Sequence, residues 1–130
     1  MMKRTVLLLF ALAAALSTFA AAGKWGEISH DELKQAVAAG HVALIDVNGS
    51  DSYAQGHIPG AIDYAASKSQ LASLLPADKS ALVVAYCGSP KCGAYKQGAE
   101  AAAKLGYTNV RHYAGGISGW KQAGEKVAKK

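Results

Sequence analysis

Cysteine is scarce in this chain of 130 residues, and the shortage excludes two kinds of small protein. Two Cys are too few for the disulfide scaffold of a small secreted domain, which usually takes about four or more. With only four His beside them and no paired ligand spacing, they also argue against a structural zinc site. Proline is limited to 3 residues, within a 51% hydrophobic composition that is typical of a globular protein. We expect one domain, because a core of this size rarely divides.

The N-terminal residues carry the pattern of an export signal. Lys3 and Arg4 precede an unbroken apolar run, and small residues ending at Ala22 fit a cleavage site. This pattern predicts a cleavable signal peptide over residues 1–22, a bacterial periplasmic or otherwise exported location, and a single domain over residues 23–130. Membrane contact is then expected only through the signal peptide during export. An uncleaved anchor is the competing interpretation, since the apolar segment is just long enough to span a bilayer.

The remaining chain lacks the charge pattern of a nucleic-acid-binding face. It has 12 Lys and Arg against 9 Asp and Glu, and Arg111 is the only arginine. The lysines are scattered, apart from a cluster at Lys126, Lys129 and Lys130. We therefore expect no nucleic-acid partner, a solvated surface and a frayed basic tail. The sequence also shows no Ser-His-Asp arrangement, phosphate-binding loop or paired-carboxylate motif.

Helical and strand patterns alternate along this domain. Ser29 and Glu32 form a capping box before a helix that we expect to end at Gly40. Apolar runs over residues 43–47 and 81–86 are continuous, which is typical of buried parallel strands. Further helices are predicted over residues 67–75, 94–105 and 117–123, and shorter strands over residues 25–28, at Ile62 and over residues 110–113. The predicted fold class is α/β, a small parallel sheet with helices on both faces.

A cysteine directly follows the more apolar of the two strands. Function in such sheets lies beyond the carboxyl ends of the strands, and there Cys87 begins a loop, residues 87–93, that leads into a helix. The amides and the positive end of that helix favour a thiolate, and Lys91 adds a cation. Gly88 and Gly93 permit tight backbone turns. The alternative interpretation is that Cys87 is a small buried residue that ends a core strand.

Four stretches of the chain resemble the rhodanese family of sulfurtransferases, which carry sulfane sulfur as a cysteine persulfide. They are residues 44–47 with 53–61, residues 83–87, residues 99–106 and residues 113–120, in the family's order. The resemblance implies the rhodanese α/β fold and a catalytic Cys87 that becomes persulfidated. It also implies a substrate-binding loop whose amides surround the outer sulfur, built from Gly88, Ser89, Lys91, Cys92 and Gly93. No metal and no organic cofactor is implied.

Two positions depart from the family's pattern. Cys92 stands where many members have an arginine or another cation, and Asn48 stands where the family often has arginine. These departures argue against efficient use of thiosulfate, and a polysulfide or a protein persulfide fits equally well as the donor.

Cys92 is also a candidate resolving thiol. Its attack on a Cys87 persulfide would release sulfide and leave a disulfide that an external reductant must open. Geometry is the obstacle, because a disulfide needs Cα atoms within about 4.4–6.8 Å of each other. The alternative is that Cys92 is only a small residue at the start of the helix.

Two further residues are expected to support the site rather than to react. Asp46 ends a buried strand, where its carboxyl needs hydrogen-bonding partners. His57 is expected to brace its loop by hydrogen bonds. No partner is evident in the sequence for His30 or His112.

Three functions follow from these observations. The leading one is a sulfurtransferase or persulfide carrier that moves sulfane sulfur from thiosulfate, polysulfide or a protein persulfide to a thiol or cyanide through a Cys87 persulfide. The alternative is a non-catalytic binding or redox-sensing module that uses the Cys87/Cys92 pair. A cysteine phosphatase or arsenate reductase is disfavoured, because Gly93 takes the place of the arginine that grips the oxyanion. The expected partners are a small sulfur donor or a persulfidated protein, and a thiol acceptor or reductant.

Overall fold

The structure, a computed structural model, describes residues 25–130, so the predicted signal peptide lies outside the described residues. The strands are β1 (Gly26–Glu27), β2 (Ala43–Asp46), β3 (Ile62–Asp63), β4 (Val83–Tyr86) and β5 (Val110–His112). They form one sheet in the order β1-β5-β4-β2-β3, and every neighbouring pair is parallel. The most apolar strand, β4, therefore lies in the middle, where all four of its residues are buried.

Short helices connect the strands. They are α1 (His30–Ala39), α2 (Ser50–Gln55), α3 (Tyr64–Ser67), α4 (Leu71–Leu74), α5 (Tyr95–Lys104) and α6 (Gly116–Gln122), with a 3-10 turn at Lys68–Gln70 between α3 and α4. Within residues 25–130, every helix is too short or too polar to cross a bilayer.

Apolar side chains cover both faces of the sheet. On one face, strand residues pack with Leu71 of α4 and with Ala99 and Ala102 of α5. On the other face, they pack with Leu33 of α1 and Trp120 of α6. These three layers confirm the predicted α/β class, since a continuous apolar strand such as β4 needs cover on both sides.

The first helix begins and ends where the sequence indicates. The Ser29 hydroxyl accepts a hydrogen bond from the Glu32 amide at 3.1 Å, which satisfies one of the free N–H groups of the first turn. Gly40 ends the helix in the left-handed conformation, with φ at 70°.

The helix predicted over residues 67–75 differs from the observed one. The chain turns helical earlier, at Tyr64, because the Asp63 side chain caps α3 by accepting from the Ala66 amide. The segment then breaks into α3, the 3-10 turn and α4. The helix α2 was not predicted, because its six residues are too few to show an amphipathic period.

The prediction of a frayed basic tail is wrong. The backbone of Ala128 pairs with that of His57 through bonds of 3.0 and 2.9 Å. The indole N–H of Trp120 donates to the Lys126 carbonyl at 2.8 Å, and the Lys130 amide donates to the Ala54 carbonyl at 3.1 Å. Backbone bonding therefore holds the tail in place, whatever the charge of its side chains.

Candidate active site

Cys87 directly follows the carboxyl end of β4, the central strand of the sheet. Its side chain is buried, with the residue 3% exposed. The start of α6 holds the backbone here, because the Ile117 amide donates to the Cys87 carbonyl and the Ser118 amide to the Gly88 carbonyl, both at 2.9 Å. The loop after β4 is thus anchored at its first two residues.

A tight turn then brings Cys92 back to Cys87. The Cys92 amide donates to the Ser89 carbonyl at 3.1 Å, which closes the turn, and Pro90 at its second position restricts φ to a value that suits it. Cys87 and Cys92 are joined by a disulfide, with their Cα atoms 6.2 Å apart. This spacing lies inside the range for a disulfide, so the loop does not impose the geometric obstacle raised above.

The Cys87 sulfur faces Cys92 in this oxidised form. Besides the sulfur of Cys92, the carbonyl oxygen of the same residue lies 3.3 Å away. The predicted contacts between the loop amides and the outer sulfur of a Cys87 persulfide form only after the disulfide has been reduced. They stay a prediction.

A cavity of about 220 Å³ opens beside the disulfide. Its walls are formed by Glu27, Cys87, Ser89, Pro90, Cys92, Tyr95, His112, Tyr113 and Ala114. Three predicted loop residues, Cys87, Ser89 and Cys92, thus share this cavity. Lys91 is exposed and, like Gly88 and Gly93, does not belong to the wall.

His112 is the wall residue with the most unusual surroundings. The residue is 5% exposed, and its ring stacks on Tyr95 with the centroids 4.2 Å apart and the planes at 8°. Burial lowers the pKa of His112, while the Glu27 carboxylate, 3.8 Å from Nε2, acts in the opposite direction. The imidazole is therefore neutral near pH 7.

The sequence interpretation did not place His112, Tyr95 or Glu27 in the site. The available signal was the parallel pairing of neighbouring strands. His112 is the last residue of β5 and lies opposite Ala85, two residues before Cys87. Both strands therefore place their last side chains at the same carboxyl end of the sheet. The pairing of β4 with β5 cannot be read from either strand alone.

Asp46, the last residue of β2, lies in a buried hydrogen-bond network. The Tyr86 hydroxyl donates to Asp46 Oδ2 at 2.7 Å, and the Asn48 amide donates to Oδ1 at 2.8 Å. The Ile58 amide in turn donates to the Tyr86 hydroxyl at 3.0 Å. Burial raises the pKa of Asp46, against the opposing effect of the Tyr86 hydrogen bond, and burial together with the Asp46 charge raises the pKa of Tyr86. These contacts supply the partners that the sequence required of a buried carboxyl.

His57 lies outside the cysteine cavity. Its Nδ1 is 2.7 Å from the Tyr53 carbonyl oxygen, and its ring stacks on the Tyr53 ring at 3.6 Å. Its backbone pairs with Ala128, as described above. A larger cavity, of about 430 Å³, adjoins Tyr53 and His57 and has neither cysteine in its wall. These contacts brace the loop, as expected of His57.

His30 has partners that the sequence did not reveal. Its Nδ1 lies 2.8 Å from the Tyr113 hydroxyl, and its Nε2 lies 3.3 Å from Glu125 Oε1. Lys34 contacts the same carboxylate at 3.0 Å, and its hydrogen bond is the main reason that the pKa of Glu125 is lowered. This network links α1 to the residues after α6 and holds the Tyr113 side chain in place.

The family follows from comparison with known proteins. The family model of the rhodanese-like domain matches residues 29–123 of this chain. The chain belongs to the rhodanese-like family. Human thiosulfate:glutathione sulfurtransferase is 33% identical to this rhodanese-like chain in a match that covers 72% of this chain and 90% of that protein.

Two solved structures are also similar to this rhodanese-like domain. A human single-domain sulfurtransferase is 28% identical, with a TM-score of 0.58 over 74% of this chain and 95% of that one. A rhodanese with anions from E. coli is 30% identical, with a TM-score of 0.52 over 68% of this chain and 99% of that one. These relatives support a sulfurtransferase-type enzyme at the level of the family.

Proposed function

We propose that this chain is a sulfurtransferase or persulfide carrier in which Cys87 carries the sulfur and Cys92 resolves the persulfide. The observation that carries the proposal is the disulfide between Cys87 and Cys92 at the carboxyl end of β4, beside an open cavity. A residue that only ended a core strand would not need a second thiol within bonding reach.

In the uptake step, the Cys87 thiolate attacks the sulfane sulfur of a donor. A bond forms between Cys87 Sγ and that sulfur, the sulfur–sulfur bond of the donor breaks, and the donor's remainder leaves with the electron pair. The positive end of α5, which begins three residues after Cys92, favours the negative charge on sulfur. The product is a Cys87 persulfide.

The Cys87 persulfide can react in two ways. An acceptor thiolate can attack the outer sulfur, which transfers that sulfur and returns Cys87 as a thiolate. Alternatively, Cys92 attacks Cys87 Sγ, the outer sulfur leaves as sulfide, and the disulfide forms. Two electrons from an external dithiol then reopen the disulfide.

The charge of the cavity wall favours a donor other than thiosulfate. Glu27 contributes a carboxylate and His112 a neutral imidazole, while the Lys91 side chain lies outside the wall. A dianion entering this cavity gains no cation from the wall residues and approaches one carboxylate. A protein persulfide or a singly protonated polysulfide carries at most one negative charge, so we propose one of these as the preferred donor, with a thiol as the acceptor.

Intact mass spectrometry tests this function directly. The protein is reduced, desalted, and incubated with polysulfide or with thiosulfate, beside Cys87→Ser and Cys92→Ser. We expect the wild type to convert to the disulfide, Cys92→Ser to accumulate a stable adduct one sulfur heavier, and Cys87→Ser to gain no sulfur adduct at Cys92. Failure of Cys92→Ser to gain sulfur from either donor would overturn the proposal.

That failure would favour the second candidate function, a redox-sensing module. The disulfide itself is the observation in favour of this function, because a dithiol–disulfide pair responds to redox poise without any sulfur donor. In that case the pair would oxidise and reduce reversibly while no adduct formed.

We also propose that the protein is exported to the periplasm, on the signal pattern of residues 1–22. An oxidising compartment is where a disulfide persists. Fractionation of expressing cells, with mass analysis of the recovered chain, should find a periplasmic protein shortened by about 22 residues, consistent with a small-residue cleavage site. Full-length protein in the membrane fraction would contradict this location.

A further inference from the structure

His112 is a buried imidazole whose two nitrogens are both unused. Neither Nδ1 nor Nε2 has a hydrogen-bond partner among residues 25–130. Glu27 Oε1, at 3.8 Å from Nε2, is beyond hydrogen-bonding distance. Leaving a buried polar group unpaired destabilises the fold, so such a group in a folded protein requires a reason.

The structural explanation that suits the other buried or half-buried histidines does not apply here. His57 and His30 each place ring nitrogens against partners within the fold, at 2.7 Å and 2.8 Å respectively. His112 instead lies in the wall of the cavity that holds Cys87 and Cys92. Its stacking on Tyr95, the first residue of α5, fixes the plane of the ring at the end of the cysteine loop.

We propose that His112 is the proton acceptor of the resolving step: it takes the proton of the Cys92 thiol and passes it to the departing sulfide. This rests on the proposed persulfide chemistry at Cys87. The groups next to the His112 ring are the Glu27 carboxylate and the Tyr95 ring, and the two cysteines share the wall of the same cavity. The carboxylate stabilises the imidazolium while it holds the proton.

The step balances without an added reactant. The S–H bond of Cys92 breaks and its proton moves to His112. The Cys92 sulfur attacks Cys87 Sγ and forms the disulfide, while the bond from Cys87 Sγ to the outer sulfur breaks. The outer sulfur, which carries its own hydrogen, leaves as hydrosulfide and takes the proton from His112 to give hydrogen sulfide. The cysteine pair is oxidised by two electrons, and the sulfane sulfur is reduced to sulfide.

The size of the effect follows from thiol ionisation. An ordinary cysteine has a pKa of about 8.5 and is only a few per cent thiolate at pH 7. Loss of the proton acceptor should therefore slow disulfide formation roughly tenfold at pH 7. Near pH 9.5 the thiol ionises unaided, and the difference should disappear.

The test follows the pre-reduced full chain after mixing with polysulfide. Acid-quenched intact mass spectrometry gives the rate of disulfide formation from pH 6 to 9.5 for the wild type and His112→Asn, with His112→Gln as a second variant if the first does not fold. His41→Asn is the matched control, because His41 is exposed and outside the cavity. We expect a wild-type to variant ratio of about ten at pH 7 that falls to about one at pH 9.5, and no change for His41→Asn.

Sulfur uptake is measured separately, in Cys92→Ser with and without His112→Asn. If Cys92→Ser takes up no sulfur, the proposed function itself fails. If uptake occurs but the wild type and His112→Asn form the disulfide at the same rate at pH 7, the role of His112 is overturned and the residue is only structural. The same holds if their rates differ by a ratio that does not change with pH.

Discussion

Gly116 lies against the backbone of Cys87 so closely that a Cβ at Gly116 would stand 2.5 Å from the Cys87 carbonyl oxygen. The same Cβ would lie 2.7 Å from the Gly88 carbonyl carbon and 2.8 Å from the Ser89 amide nitrogen. Gly116 also has φ at 61°, a conformation that side chains disfavour. The start of α6 therefore reaches the cysteine loop only because residue 116 has no side chain.

Gly116→Ala should lower the free energy of unfolding by about 2–4 kcal/mol, the sum of left-handed backbone strain and an overlap with backbone that cannot rotate away. It should also slow sulfur uptake, because the displaced loop carries Cys87. Urea unfolding and adduct formation by mass spectrometry measure the two effects.

Gly124→Ala is the matched control for this substitution. Gly124 also has positive φ, at 79°, but nothing lies within 4 Å of a Cβ built there. Gly124→Ala should lower the free energy of unfolding only by the backbone strain, about 1 kcal/mol, and leave sulfur uptake unchanged. Equal costs for the two variants would show that the contact between Gly116 and Cys87 does not constrain the loop.

Tyr86→Phe should lower the free energy of unfolding by roughly 2–4 kcal/mol at pH 7, because it leaves Asp46 Oδ2 and the Ile58 amide without a buried partner. The Tyr86 hydrogen bond lowers the pKa of Asp46, so its loss should raise that pKa further. A raised carboxyl pKa gives stability at low pH that is lost as pH rises.

The cost of Tyr86→Phe should therefore be smaller at about pH 4 than at pH 7. Urea unfolding at both pH values measures this. Tyr64→Phe serves as the control, since Tyr64 is half-buried and its hydroxyl has no hydrogen bond within the described part of the chain. A pH-independent cost would contradict the assignment of the effect to Asp46.

His112 should make the stability of the protein fall on acidification. Its pKa in the folded chain lies below the ordinary value of 6.5, so the unfolded chain binds the proton first. The stabilising contribution is present above about pH 6.5 and is lost as pH falls below it. The thermal midpoint of His112→Asn should fall less between pH 7.5 and 5.5 than that of the wild type, whereas His41→Asn keeps the wild-type slope. Parallel curves for all three proteins would refute the prediction.

The disulfide should add only modestly to stability. It joins residues 5 positions apart, and cross-linking so short a loop removes little entropy from the unfolded chain, worth about 2 kcal/mol. Adding a dithiol reductant should lower the free energy of unfolding of the wild type by about this amount and leave Cys92→Ser unchanged. If reductant has no effect on the wild type, the two cysteines are not bridged in the purified protein.

The local features of the fold were predictable because they depend on neighbours in the chain. The capping box at Ser29, the stop at Gly40 and the burial of β4 were each predicted from a few adjacent residues. The order of the strands was not, since pairing of β5 with β4 depends on how two distant segments pack. For the same reason the charge pattern wrongly predicts a frayed tail, although the backbone of the tail pairs with His57.

The candidate site divides in the same way. Two features of the site can be read from the sequence: Cys87 follows a buried strand, and a second thiol lies five positions on. Both are properties of one continuous segment. The contact between the two sulfurs and the stacking of His112 on Tyr95 beside them become evident in the folded chain. These groups come together through the turn closed by the Ser89 carbonyl, the packing of α6 and the register of β5 against β4, and each of these depends on contacts in three dimensions.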